Sequence, residues 1–191
     1  MNIIQSNIAN LPTKYGKFKI KAYKDDNQEH LAIMSEDFEN IDIPFIRVHS
    51  ECLTGDTLGS LKCDCQNQLD LSLKFIADEG GLVIYHRQEG RNIGLLNKVN
   101  AYSLQDQGRN TIEANTELGF GEDDRDYRIV KHIFEDLEIT KLKLITNNPK
   151  KIDYINSLGV EIVERIPAIT KKNKYNEHYI NTKKDQMGHM L

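Results

Sequence analysis

The stretch LKLITNNPKKIDYINSLGVEIVERI, Leu142 to Ile166, decides the fold class. Leu142 to Thr146 is a short apolar run of strand type. NNPKK is a turn, and Lys150 to Leu158 has helical spacing until Gly159 stops it. Val160 to Ile166 is a second strand. A strand, a helix and a strand in so few residues make a βαβ unit, which requires parallel pairing in a sheet covered by helices.

Reading outward from this unit, Tyr127 to Leu137 has a helical stripe of Ile129, Ile133, Phe134 and Leu137. A further helix is predicted near Leu95 to Gln107, with Leu95, Val99 and Tyr102 on its inner stripe, and a short one over Thr111 to Leu118. Leu82 to Tyr85 reads as a buried strand, and Gln66 to Glu79 as a helix with Leu69, Leu73 and Ile76 inward, stopped by Gly80 and Gly81. At the front, Gly16 to Tyr23 alternates apolar residues with lysines, as a half-exposed strand does. Asp25 to Gln28 is a turn, and Leu31 to Met34 and Ile43 to His49 are strands. The expected architecture is mixed α/β, or α+β. N-terminal antiparallel strands lead into a cysteine loop, and helices then surround a mixed sheet with the βαβ unit at its C-terminal end. Residues 1–170 form one domain, and residues 171–191 a lysine-rich tail expected to be mobile or to depend on a partner.

All three cysteines fall in CLTGDTLGSLKCDC, Cys52 to Cys65, with spacing C-x10-C-x-C. On an extended segment Cys63 and Cys65 would point the same way. Three converging thiolates suit a soft divalent metal, zinc first. Buried free thiols are the plainer reading, although the window is polar. A disulfide fits poorly with an odd count and strained C-x-C geometry. The spacing leaves two zinc sites open: a closed one with His49 as fourth ligand, or an open one with water.

Three more stretches carry candidate chemistry. HRQEGRNIG, His86 to Gly94, follows a buried strand, and its arginines suit phosphate. In TNNPKK, Asn148 and Pro149 fit a helix start, where free N–H groups attract anions. GEDDRD offers Asp123, Asp124, Arg125 and Asp126 for proton transfer and charge stabilisation. Each has a plainer reading, as a solvated loop, an ordinary helix cap or a solvated charge run.

The bulk composition narrows the class. The 191 residues carry a net charge of −4, with 39% hydrophobic and 28% charged residues. That is a globular protein and argues against a general nucleic-acid or membrane binder, so an anionic ligand needs a local basic patch. The N-terminus has no signal-peptide pattern and no run approaches a membrane span, so cytoplasmic location is expected.

The motifs RVHSECLTGD (Arg47 to Asp56), KCDC, YHRQEGRNIGLLNK (Tyr85 to Lys98), YSLQDQG (Tyr102 to Gly108), TIEAN, DDRD, TNNPKK and NEHY (Asn176 to Tyr179) together resemble GTP cyclohydrolase II. The resemblance implies hydrolysis of GTP to 2,5-diamino-6-ribosylamino-4(3H)-pyrimidinone 5′-phosphate, formate and pyrophosphate, the first step of riboflavin biosynthesis, by zinc-activated water attack at C8 of guanine. It implies one zinc per subunit on Cys52, Cys63 and Cys65 with water in the fourth place, and magnesium with the triphosphate. It implies GTP contacts from Arg47, Val48, His49, Ser50, Glu51, Gln68, Glu89, Gly90, Arg91, Thr111, Thr146 and Lys151. Asp123 matches the family's proton acceptor, Arg125 its nucleophile and Tyr102 an active-site tyrosine. Because a guanidinium is a poor nucleophile, Arg125 also suits charge stabilisation. A homodimer is the family expectation. So is a single activity for a chain that starts this close to the first motif, since the family is often fused behind a 3,4-dihydroxy-2-butanone 4-phosphate synthase domain. Two rivals stand beside this reading: a related purine-nucleotide hydrolase that keeps the formyl group, and a structural-zinc module that binds nucleotide without turnover.

Overall fold

A computed structural model describes residues 3–121 and 123–191; Met1, Asn2 and Glu122, the last within the GEDDRD loop, lie outside the described residues. The chain begins with β1 (Ile3–Gln5), β2 (Ala9–Thr13), β3 (Gly16–Asp25), β4 (Gln28–Ser35) and β5 (Phe45–Ser50). The short helix α1 (Leu53–Asp56) and the long α2 (Cys65–Glu79) lead to β6 (Gly81–His86). Then come α3 (Gly94–Asp106), α4 (Thr111–Glu117), α5 (Arg128–Asp136), β7 (Lys141–Ile145), α6 (Pro149–Ser157), β8 (Glu161–Ile166) and α7 (Glu177–Asp185).

Among the described residues, eight strands form one mixed sheet in the order β1-β3-β4-β6-β5-β7-β8, with β2 beside β1 on the same edge of β3. The lysine-bearing strand β3 pairs antiparallel with β4 from Phe18↔Ser35 to Asp25↔Gln28, closing the expected turn in two residues. The βαβ unit is present, with β7 and β8 parallel. The front strands do not end in an antiparallel sheet at the cysteine window, as the sequence suggested. β5 instead lies between β6 and β7, parallel to both, and it is β6 that pairs antiparallel with β4. An apolar run marks a strand as buried but says nothing of its direction.

Alternating residues of the central strands go to opposite faces, as the pleat demands. Ile46, Val48, Leu82 and Ile84 meet Ile129, Val130, Ile133 and Phe134 of α5 and Ile155 of α6. Val83 and Phe18 meet Ile76 of α2, with Leu69 and Leu73 against them. Each fully buried side chain of this size contributes about 1.5–3 kcal/mol. Because α2 covers one face and α5 and α6 the other, the chain after β6 crosses over β5 before adding β7. Beside β5 the winding therefore reverses, and a crevice opens outside the C-terminal ends of β5, β6 and β7.

Two other elements differ from expectation. Leu95 and Val99 of α3 are exposed, at 41% and 51%, while Lys98 and Ala101 are buried. Leu95 and Val99 of the expected stripe therefore face outward, while Tyr102 joins Lys98 on the inner face of α3, which is given to the site. Residues 171–191, read as a tail, contain α7, and Asn176, Ile180, Thr182, Lys183 and Met187 are buried. The lysine-rich composition hid these few inward positions.

Candidate active site

The crevice holds the three sulfurs. Cys52 follows β5, Cys63 lies in the turn before α2, and Cys65 is the first residue of α2. The C-x-C pair is therefore not extended; the turn at Asp64 into α2 brings its sulfurs round to Cys52. All three ligand atoms lie within 4.8 Å of one another, with Cys52 Sγ and Cys63 Sγ 3.7 Å apart and no disulfide. Gly55 gives this cluster its room. A Cβ there would sit 2.8 Å from Cys63 Sγ and 3.1 Å from Cys52 Sγ. The backbone thus leaves a small cradle walled by soft donors, and these residues fit a metal ion such as zinc.

His49 is not among the converging groups. Its Nε2 donates to Asp56 Oδ2 at 3.1 Å, and Asp56 also accepts from the Cys52 amide (3.0 Å) and the Tyr85 hydroxyl (2.8 Å). This leaves Nδ1 as the unprotonated nitrogen, buried without a hydrogen-bond partner. Burial pushes the His49 imidazole below its usual range, so it stays neutral.

Lys98 stands over the cluster. Its Nζ lies 3.1 Å from Cys52 Sγ and 2.7 Å from Glu89 Oε1, and Glu89 Oε2 accepts from the Leu53 amide at 2.6 Å. Hydrogen bonds from the other two thiols and the Lys98 charge push the Cys52 thiol down. The same competition among thiols, with burial, pushes Cys63 and Cys65 up. Tyr102 closes this side, its hydroxyl 3.1 Å from Thr54 Oγ1, and burial raises its phenol above the ordinary value.

Cations gather at the other side. Arg47 Nη1 donates to the Ile145 carbonyl and Nη2 to Gln68 Oε1, at 3.1 and 2.6 Å, while its Nε is buried unpaired. Lys151 is buried, its Nζ 2.7 Å from the Val48 carbonyl and 3.4 Å from Ser50 Oγ. Burial, then Arg125 and Arg47, push its ammonium well below the usual lysine range. Arg125 donates to Ser50 Oγ at 2.9 Å and forks onto both oxygens of Asp123. Burial opposes its charge, but Tyr127 and Asp123 more than offset this, and the guanidinium stays protonated. The TNNPKK turn is capped as read: Asn148 Oδ1 accepts from the Lys150 amide at 3.0 Å and Pro149 opens α6. The DDRD segment is pinned rather than loose, because the Asp126 amide donates to Gln88 Oε1 (2.8 Å) and the Asp126 carbonyl meets His86 Nε2 (2.9 Å).

One cavity is lined by Arg47, His49, Ser50, Glu51, Gln68, Glu89, Gly90, Arg91, Tyr102, Thr111, Arg125, Thr146 and Lys151, together with the three cysteines. Of the site residues that the resemblance implied, Val48 and Asp123 do not line it, and neither do Arg87, Asp124 and Asp126 of the two charged loops. Val48 is a core side chain whose carbonyl holds Lys151, and Asp123 stands behind Arg125. The cavity also takes Lys98, Asn115, Tyr179, Lys183, Met187 and His189, which sequence reasoning had not placed there. Lys98 lies at the end of a quoted motif, so a signal existed; for the C-terminal residues beyond NEHY none did.

Residues 5–167 match the family model described as GTP cyclohydrolase II. The chain belongs to the GTP cyclohydrolase II family. A GTP cyclohydrolase-2 of Campylobacter hominis is 55% identical over 192 residues, covering 100% of this chain and 97% of its own. One from Buchnera aphidicola subsp. Schizaphis graminum is 51% identical over 195 residues (100% and 99%), and one from Haemophilus influenzae 50% over 187 residues (96% and 87%). Among solved structures, a two-domain 3,4-dihydroxy-2-butanone 4-phosphate synthase from A. baumannii aligns over 88% of this chain and 40% of its own, with TM-score 0.45 and 18% identity, too loosely to argue from. Membership makes the protein an enzyme of the GTP cyclohydrolase II type, with GTP as its substrate. No helix among the described residues is long and apolar enough to cross a membrane.

Proposed function

We propose that this enzyme hydrolyses GTP to 2,5-diamino-6-ribosylamino-4(3H)-pyrimidinone 5′-phosphate, formate and pyrophosphate, as the first step of riboflavin biosynthesis in the cytoplasm. The observation that carries this reading is that one cavity is lined both by a three-thiol cluster and by buried cations. A cluster with His49 turned away to Asp56 favours three protein ligands and an open fourth place over a closed structural site. Cys52, Cys63 and Cys65 would hold the zinc, and the chemistry it would supply there is Lewis-acid activation of water toward the guanine C8. Magnesium accompanies the triphosphate.

The protein's own groups then divide the work by position. Arg47, Arg91, Arg125 and Lys151 receive the triphosphate, and the amides at the start of α6 add to their field. Val48 supplies its carbonyl to Lys151, while Ser50 holds both Arg125 and Lys151. Gln68, Glu51, Glu89, Gly90, Thr111, Thr146 and His49 line the space left for the nucleoside. Tyr102, protonated at neutral pH, donates a hydrogen bond or proton on the cysteine side. Burial raises the Asp123 carboxyl, but Arg125 outweighs it and holds the group ionised, ready to accept a proton. Arg125, fixed as a cation, stabilises charge as pyrophosphate leaves rather than attacking phosphorus. The outward Leu95, Leu96 and Val99 of α3 suit burial against a second subunit, in keeping with a homodimer.

The deciding experiment supplies zinc, magnesium and GTP to the purified protein and measures formate and pyrophosphate. Equal amounts of both are expected. Absence of formate removes the proposal, and a ring-opened product that keeps its formyl group favours the related hydrolase. Cys52→Ser is expected to abolish turnover while leaving the fold and GTP binding intact; unfolding on that change points to a structural-zinc module.

A further inference from the structure

The family match ends at residue 167, but the wall of the cavity does not. Tyr179, Lys183, Met187 and His189, on and after α7, line the same space as the cysteines and Lys151. The arm is tied along its length. Near α7, the Asn176 side-chain amide lies 3.5 Å from the Cys63 carbonyl, and Lys183 Nζ is 2.7 Å from Asp64 Oδ1, with both groups buried. Past α7, Arg91 meets Met187 Sδ at 3.2 Å, and the Met190 amide donates to the Asn147 carbonyl at 2.9 Å, beside the start of α6. The arm therefore spans the cavity from its cysteine end to its cation end.

Lys183 is more than a counter-ion for Asp64. The other Asp64 oxygen accepts from Gln68 Nε2 at 2.7 Å, and Gln68 Oε1 accepts from Arg47 at 2.6 Å. Asp64 thus serves a network of substrate-facing groups, with Lys183 at its far end. An ammonium carries three donors, and Asp64 uses one of them. Lys183, Lys151, Arg91, Arg125 and His189 line the one cavity, and after burial the four positive charges push His189 down to about 3. An anion entering that space relieves their repulsion.

We infer that residues 176–191 form a substrate-contacting wall of this site, and that Lys183 is one of its substrate-binding residues, directing a cation at the anionic part of the nucleotide. The inference rests on the proposed GTP reaction. Its test compares the full-length protein with Lys183→Met and Lys183→Arg, measuring KM and kcat for GTP, calorimetric binding of a GTP analogue with an α,β-methylene bridge, zinc content and Tm. Lys183→Met is expected to weaken analogue binding and raise KM by about ten-fold or more, as loss of a charge-assisted contact does, with zinc retained and Arg restoring most of the effect. Unchanged binding in a folded Met variant overturns the inference. Should that variant fail to fold, the unaltered protein still decides. The analogue is expected to slow tryptic cleavage after the exposed Lys184 by about ten-fold, because closing the wall suppresses local opening; an unchanged cleavage rate overturns the inference. If the unaltered protein releases no formate from GTP, the underlying reaction falls and takes the inference with it. Formate release with indifferent variants and indifferent cleavage removes the inference alone.

Discussion

The two halves of one sheet are paired differently and used differently. Strands β1 to β4 run antiparallel and give no residue to the cavity, whereas β5, β6 and β7 run parallel and end at its rim. In an antiparallel pair each edge collects one strand start and one strand end, so polar loop groups are shared between opposite sides of the molecule. In the parallel half every strand leaves at the same edge. There Arg47 to Cys52, His86 to Gly90 and Thr146 to Lys151 arrive together, although nearly a hundred residues separate the first group from the last. Direction of pairing, rather than strand composition, divides scaffold from site.

The sharpest way to break this division is at the two extremes. Cys63→Ser, on the parallel side, is expected to lower formate release by about 10³-fold or more and to reduce bound zinc measured by atomic absorption. Lys19→Ala, on the antiparallel side, should leave kcat/KM within about two-fold, since its partner Glu39 is exposed. A large loss from Lys19→Ala, or none from Cys63→Ser, would contradict the division.

The seam between the halves gives a second test. His30 of β4 stacks on His86 of β6 with ring centroids 5.1 Å apart. His30 Nδ1 accepts from the Arg87 amide, which requires the neutral ring. Burial lowers His30 to about 4 and His86 to about 3. Below the unfolded value near 6.5 the unfolded chain takes up protons that the folded one refuses, so stability falls as pH falls from there toward 4. Urea unfolding should show a loss on the order of 2 kcal/mol per histidine between pH 7 and pH 5. A flat profile across that window would mean that the seam admits charge.

The smallest effect belongs to the scaffold itself. Asp136 at the end of α5 accepts from Lys21 Nζ at 2.6 Å and from the buried Tyr23 hydroxyl at 2.7 Å. Asp136→Asn is expected to cost about 1–2 kcal/mol of stability by denaturant titration. KM for GTP should not move, and a shift in it would show that the antiparallel half reaches the site.

Much of this was legible in the chain. The alternation of β3, the stripes of α2 and α5 and the cap of α6 are local signals, and each element sits where its pattern put it. The direction of β5 was not legible, because a short apolar run suits either pairing. The stripe of α3 misled because Lys98 must face Cys52 and Glu89, so a charged residue took the inward position and Leu95 and Val99 turned out. The cysteine motif announced itself by residue type. Asp56, which holds His49, and Lys183, which meets Asp64, are ordinary charged residues whose partners are fixed only by tertiary structure.

The loop after β6 has a consequence for any effort to harden this enzyme. Gly90, Arg91 and Asn92 are successive left-handed residues, with φ of 61°, 62° and 75°. Glycine adopts this freely and asparagine tolerates it, but at Arg91 it costs roughly 1–2 kcal/mol. Arg91→Gly would relax this backbone, but it would also remove a guanidinium from the cavity and its tie to Met187. The strain at this position is the cost of holding a cation at the site.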